Sequence, residues 1–149
     1  DKYDSTVLYG LEAGKYRLAL KTPKDQIINV EYTRDKSKKK AAYKKSKAIH
    51  LKSDIDSIYT STEKAARWYK VSVSSTKKRK AVTLSKDSVG GGFKFCVYQK
   101  GKRLKTVKVT KNDKVKTVKL PKKKGAYYVK VTKLTSKTTG AYYLGTYTN

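Results

Sequence analysis

Nucleophilic, metal or acid–base chemistry needs a constellation of residues, and the inventory here is short. The chain has one cysteine, Cys96, and one histidine, His50. A lone thiol has no partner for an internal disulfide, and a single histidine with no cysteine cluster cannot build a structural zinc site. A cysteine nucleophile also needs a base beside it. None is apparent near Cys96, so it is expected to be a free thiol with no catalytic role, and His50 a residue at the rim of a strand. Asp54-Ile55-Asp56, with Glu63 nearby, is the only acidic grouping in the neighbourhood. It lacks the glycine turn and the bidentate glutamate of a calcium loop, so Asp54 and Asp56, the sole metal candidates, read as turn carboxylates. Val89-Gly90-Gly91-Gly92 precedes a strand pattern and not a helix whose N-terminus could hold phosphate, so it is no P-loop. The sequence therefore predicts neither an enzyme nor a cofactor.

The chemistry that the sequence does offer is positive charge. The formal net charge is +27 over 149 residues. It is unevenly spread: residues 1–34 hold six Lys/Arg against five Asp/Glu, and residues 35–149 hold 32 against six. Only five of the basic residues are Arg, at positions 17, 34, 67, 79 and 103. Arginine makes bidentate contacts to phosphates and base edges, whereas a lysine coat is a diffuse field. Lys38, Lys39 and Lys40, and Lys122, Lys123 and Lys124, are the candidate polyanion-binding groups, and Trp68, Tyr98, Tyr128 and Tyr143 are the candidate surface aromatics. Two kinds of partner fit: anionic polymers such as cell-wall or host glycans, and single-stranded nucleic acid bound without sequence preference, its bases stacked on tyrosines. The scarcity of Arg, the lack of an RNP-like run and the scatter of lysines over nearly every segment weigh against the second. A third reading makes the domain a structural spacer whose charge only keeps it soluble.

These side chains must be positioned by strands. Hydrophobic content is 37%, and the aromatic share rests on 13 Tyr beside two Phe and one Trp. Such a composition suits thin β-layers better than helical bundles. Tyr69, Val71 and Val73 alternate with polar neighbours, as do Phe93, Phe95 and Val97, Tyr127, Val129 and Val131, and Tyr142 and Leu144. Period 2 marks half-buried strands. Further strands are expected at 48–51, 55–61, 81–84, 104–109 and 115–120, with Val89–Gly92 as a flexible break and turns at Lys100-Gly101-Lys102 and Asn112-Asp113. Gly-Ala-Tyr-Tyr occurs at Gly125 and again at Gly140, and the stretch from Leu120 to Tyr147 reads as a β-hairpin. A related Gly-x-Tyr start at Gly14 places Tyr16, Leu18 and Leu20 in an apolar layer too, within an N-terminal hairpin over 1–34. The repeat suggests internal duplication, although glycine turns and tyrosine strands recur cheaply in any all-β chain. Residues 35–47 read as a Lys-rich linker or short exposed helix, and 48–149 as an all-β, antiparallel, jelly-roll-like sandwich. No run of apolar residues is long enough to span a membrane.

Four motifs carry a resemblance to a known family. Arg67-Trp68-Tyr69-Lys70-Val71-Ser72-Val73, Phe93-Lys94-Phe95-Cys96-Val97-Tyr98, the stretch from Val118 to Val131 and Gly140-Ala141-Tyr142-Tyr143-Leu144 resemble strands of the bacterial pre-peptidase C-terminal domain. The likeness covers about two-thirds of the chain. It implies a non-catalytic accessory module of a secreted or cell-surface bacterial protein, joined to upstream domains of the same polypeptide. Residues 1–34 resemble the last two strands of a similar unit. Many family members have an acidic segment before the first strands, and some bind calcium there. Here that stretch is rich in lysine.

Overall fold

Period-2 alternation becomes a two-layer core where strands bury every second residue, as they do over Arg67–Val73 and Gly125–Lys133. The structure, a computed structural model, describes residues 14–21, 24, 30, 41–52, 54–58 and 66–148; the side chains of 54–58, 87–89 and 139–140 lie outside that description. Among the described residues the strands are β1 (Ile49–Leu51), β2 (Asp54–Ile58), β3 (Arg67–Val73), β4 (Lys80–Gly90), β5 (Phe93–Gln99), β6 (Lys102–Val109), β7 (Val115–Lys119), β8 (Gly125–Lys133) and β9 (Thr139–Thr148). They form a five-stranded sheet in the order β1-β3-β8-β5-β6 and a four-stranded sheet in the order β2-β9-β4-β7. The pairing is antiparallel except for β1, which lies parallel to β3. This is the all-β sandwich that the sequence predicts. Tyr69, Val71, Val73, Phe93, Phe95, Val97, Tyr127, Val129, Val131, Tyr142 and Leu144 are all buried in one cluster between the sheets, joined by Leu51, Val82, Leu84, Val109, Val118 and Leu120.

The connectivity differs from the expected hairpins. Of the consecutive strands described, only β5 and β6 are joined within one sheet, through the two-residue turn Lys100-Gly101, where both residues have positive φ (47° and 78°). Such turns match the twist of the strands they join. The other consecutive pairs of strands belong to different sheets. The stretch from Leu120 to Tyr147 is therefore not a hairpin: β8 lies between β3 and β5, while β9 lies between β2 and β4. Alternation reports that both strands have an apolar face, and two such faces can pack against each other across the core as well as side by side.

The expected break at Val89–Gly92 is also corrected. The short strand anticipated at 81–84 runs on through Gly90 as the 11-residue β4, and Gly91 and Gly92 form a fixed corner. Leu134 N–H donates to the Gly92 carbonyl at 2.9 Å, and the buried Thr138 hydroxyl donates to the same oxygen at 2.9 Å. The β4–β5 and β8–β9 crossovers are thus held to each other.

Tyr16, Leu18 and Leu20 do not lie in an apolar layer: they are 50%, 70% and 54% exposed, and residues 14–21 belong to no strand. Two strands alone bury too little surface to be stable in water. The rest of the expected N-terminal hairpin lies outside the described residues, apart from positions 24 and 30. Within the stretch read as a linker, Ala42 is buried, its carbonyl accepts from the Trp68 N–H at 2.8 Å, and Lys45–Lys47 forms one 3-10 turn.

Candidate cationic surface

Two surfaces gather the lysines. The first is the outer face of the five-stranded sheet, made by the residues that alternate with the core. In register across the strands, Lys70 lies opposite Tyr128, which lies opposite Tyr98, which faces Arg103. The next row runs from Trp68 through Lys130 and Cys96 to Thr106. A third row contains Thr132, Lys94 and Lys108. Three of the four candidate aromatics therefore share one face. The Trp68 and Tyr98 rings lie 5.5 Å apart, tilted by 43°. Lys130 Nζ sits 5.5 Å from the centre of the Trp68 ring, and Lys45 Nζ 4.7 Å from that of Tyr128. Both are cation–π distances. Burial pushes the Tyr98 phenol above its ordinary pKa, the Cys96 thiol adds to the rise, and Arg103 pulls the other way. Tyr143 is apart from this group, on β9 of the other sheet between Ser57 and Ser85.

The second surface is the end of the sandwich where β3 passes to β4, β5 to β6 and β7 to β8. The register fixes this convergence: Val73 pairs with Gly125, Gln99 with Tyr127, and Lys119 with Ala81. The three connections bring together Lys77, Lys78 and Arg79, then Lys100 and Lys102, then Lys122, Lys123 and Lys124, all exposed. The last loop is anchored from beneath. Tyr127 buries its ring in the core and donates its hydroxyl to the Lys123 carbonyl at 3.0 Å, while the Leu120 N–H donates to the Lys80 carbonyl at 2.8 Å. This anchoring was hidden from sequence reasoning, which sees Tyr127 only as a core residue. From residue 66 to 148 the sequence has two carboxylates, Asp87 and Asp113. Asp87 is opposite Ala141 and Asp113 lies in the β6–β7 connection, both toward the other end of the sandwich.

Lys38, Lys39 and Lys40 lie outside the described residues, and so do the side chains of Asp54 and Asp56, which occupy β2 opposite Thr146 and Leu144. His50 is exposed and its Nε2 lies 3.1 Å from the Ser72 hydroxyl. Cys96 is a buried free thiol that shares a hydrogen bond of 3.4 Å with the Thr106 hydroxyl. His50 and Cys96 stand on β1 and β5, with β3 and β8 between them, so they do not form a nucleophile–base pair. Among the described residues no helix is long and apolar enough to cross a membrane.

No family model and no curated protein matches the chain. Among solved structures it is similar to the crystal structure of the pre-peptidase C-terminal domain of collagenase from Bacillus anthracis. That domain belongs to the family the motifs resemble. The identity is 17%, the match covers 67% of this chain and 94% of that one, and the TM-score is 0.49.

Proposed function

We propose that this chain is a non-catalytic module of a secreted or cell-surface bacterial protein, attached to other domains, that holds anionic polymers through its lysines. The observation that carries the reading is the cationic surface itself. The outer face of the five-stranded sheet and the adjoining end of the sandwich contain no carboxylate among the described side chains, while eight basic residues crowd the three loops at that end. Such a field attracts a polyanion chiefly by releasing its condensed counterions. A single-strand nucleic-acid binder would need open ring faces. Here one face of Trp68 and one of Tyr128 are covered by Lys130 and Lys45 of the same chain.

The test is retention of the purified chain on heparin, duplex DNA, single-stranded DNA and teichoic acid across a salt series. Binding to all of them, with log K for duplex DNA falling by about 0.9 per phosphate neutralised as log salt rises, is the expected result. A salt-resistant preference for single-stranded DNA would favour the stacking alternative. No retention at low salt would leave the charge as a solubility device on a structural spacer.

A further inference from the structure

The outer face of the five-stranded sheet holds one lysine from each of four neighbouring strands in a continuous oblique line. Lys70 on β3 is opposite Tyr128, two residues from Lys130 on β8; Lys130 is opposite Cys96, two residues from Lys94 on β5; and Lys94 is directly opposite Lys108 on β6. Diagonal neighbours of this kind are roughly 7–8 Å apart and direct ones roughly 5 Å. Like charges facing each other across a ladder destabilise a sheet. Among the described residues none of the four makes an ion pair, and the face they share has no carboxylate to relieve the repulsion.

Resting on the polyanion reading above, we propose that Lys70, Lys130, Lys94 and Lys108 form the track for a single extended phosphodiester chain that carries no bases, of the poly(glycerol phosphate) kind. The stripe crosses four strands, so its ligand must be long and must repeat its charge at a similar interval. A phosphate joined through a short polyol does this along one flexible chain that can lie flat on a sheet. Duplex DNA does not, because its charges are spread at about one per 1.7 Å around a stiff rod that curves away from a plane. Lysine suits such a ligand, because its ammonium is a point charge that meets a phosphate oxygen from many directions, without the planar fork of arginine. Bases would gain little here. Lys130 lies over Trp68, whose ring also packs against Tyr98, and Lys45 lies over Tyr128.

The experiment uses the full chain and two variants with equal charge removed. One is Lys70→Gln, Lys94→Gln, Lys108→Gln and Lys130→Gln together; the other is Lys77→Gln, Lys78→Gln, Lys123→Gln and Lys124→Gln at the loop end. Affinities are measured for poly(glycerol phosphate), heparin, duplex DNA and oligo-dT, with thermal melting as the check on folding. The expected result is that poly(glycerol phosphate) binds the unaltered chain most tightly, that the sheet variant loses about tenfold or more, and that the loop variant loses less than about threefold. The sheet variant should also melt no lower than the unaltered chain, since it removes opposed like charges. Equal losses in both variants, or a loss confined to the loop variant, would overturn the track and leave the polyanion reading standing. Tighter binding of oligo-dT or heparin would overturn the ligand class. No binding of any probe by the unaltered chain would overturn both the track and the function it rests on.

Discussion

Tyr69 on β3 and Tyr142 on β9 meet hydroxyl to hydroxyl in the middle of the sandwich, their rings edge-on at 88°. Both side chains are buried, and they come from different sheets, so the bond ties the two layers together. Tyr142 also lies edge-on to Phe93, 5.0 Å between ring centres. A buried hydrogen bond of this type contributes about 1 kcal/mol net. Tyr142→Phe, which keeps the ring and removes the hydroxyl, should lower unfolding stability by about that amount in a denaturant titration. Tyr69→Phe added to it should cost less than it does alone, because the shared bond is already gone. Strictly additive losses would show that the two hydroxyls are not coupled.

The corner at Gly92 has no room for a side chain. A Cβ there would run into the Val109 carbonyl oxygen and reach Leu134 Cδ1 at 3.0 Å. Gly92→Ala should therefore cost about 3 kcal/mol or more, the range expected when backbone itself must shift. Thr138→Val keeps the shape of the opposing residue and removes a hydroxyl that donates to the Gly92 carbonyl and accepts from the Gly92 N–H at 3.3 Å. Its cost should fall in the range of about 1–3 kcal/mol. Equal and small effects in chemical denaturation would mean that this corner does not hold the two crossovers.

The inward faces are legible in the sequence because strand alternation is local. Tyr127, Val129 and Val131 announce a buried face whatever their neighbours are. What alternation cannot encode is which strand lies beside which. Tyr127 and Tyr142 open matching Gly-Ala-Tyr-Tyr runs, yet one is in the five-stranded sheet and the other in the four-stranded sheet. The same limit hides the outer face: Trp68 and Tyr98 are 30 positions apart, and only the placement of β8 between their strands brings the rings together. Tyr16, Leu18 and Leu20 show the reverse failure. Their pattern is as regular as that of β8, but a pattern becomes a core only when another layer covers it, and these residues are exposed.

Cys96 is 6% exposed and lies between Lys94 and Tyr98 along β5. A thiol reacts through its thiolate and only as fast as reagent can reach it. In the native chain Cys96 should label slowly with a bulky maleimide, and denaturant should raise the labelling rate to that of a free peptide thiol. One thiol should titrate per chain once unfolded. A fast native reaction would show that the outer face opens readily around β5, and no titratable thiol would contradict the free state.

Asp113 should make stability depend on pH in a narrow acidic window. Its Oδ1 is 2.7 Å from Lys116 Nζ, and its Oδ2 accepts from the Thr110 hydroxyl at 2.7 Å and from the Thr110 backbone N–H at 2.9 Å. The Lys116 ammonium first, and the Thr110 donors after it, hold the carboxyl well below the usual carboxylate range. A carboxyl whose pKa is depressed by folding contributes stability that is fully present above its unfolded value of about 3.9, and that is lost as pH falls below that value toward the folded one. Asp113→Asn keeps an acceptor for Thr110 and removes the charge that Lys116 meets. The variant should melt below the parent at neutral pH, and the gap should close as pH falls from about 4 to about 2. Because the pair is solvent-accessible, the gap at neutral pH should also shrink with added salt. A gap that stays constant from neutral pH to about 2, or no gap at all, would show that the charge of Asp113 stabilises nothing.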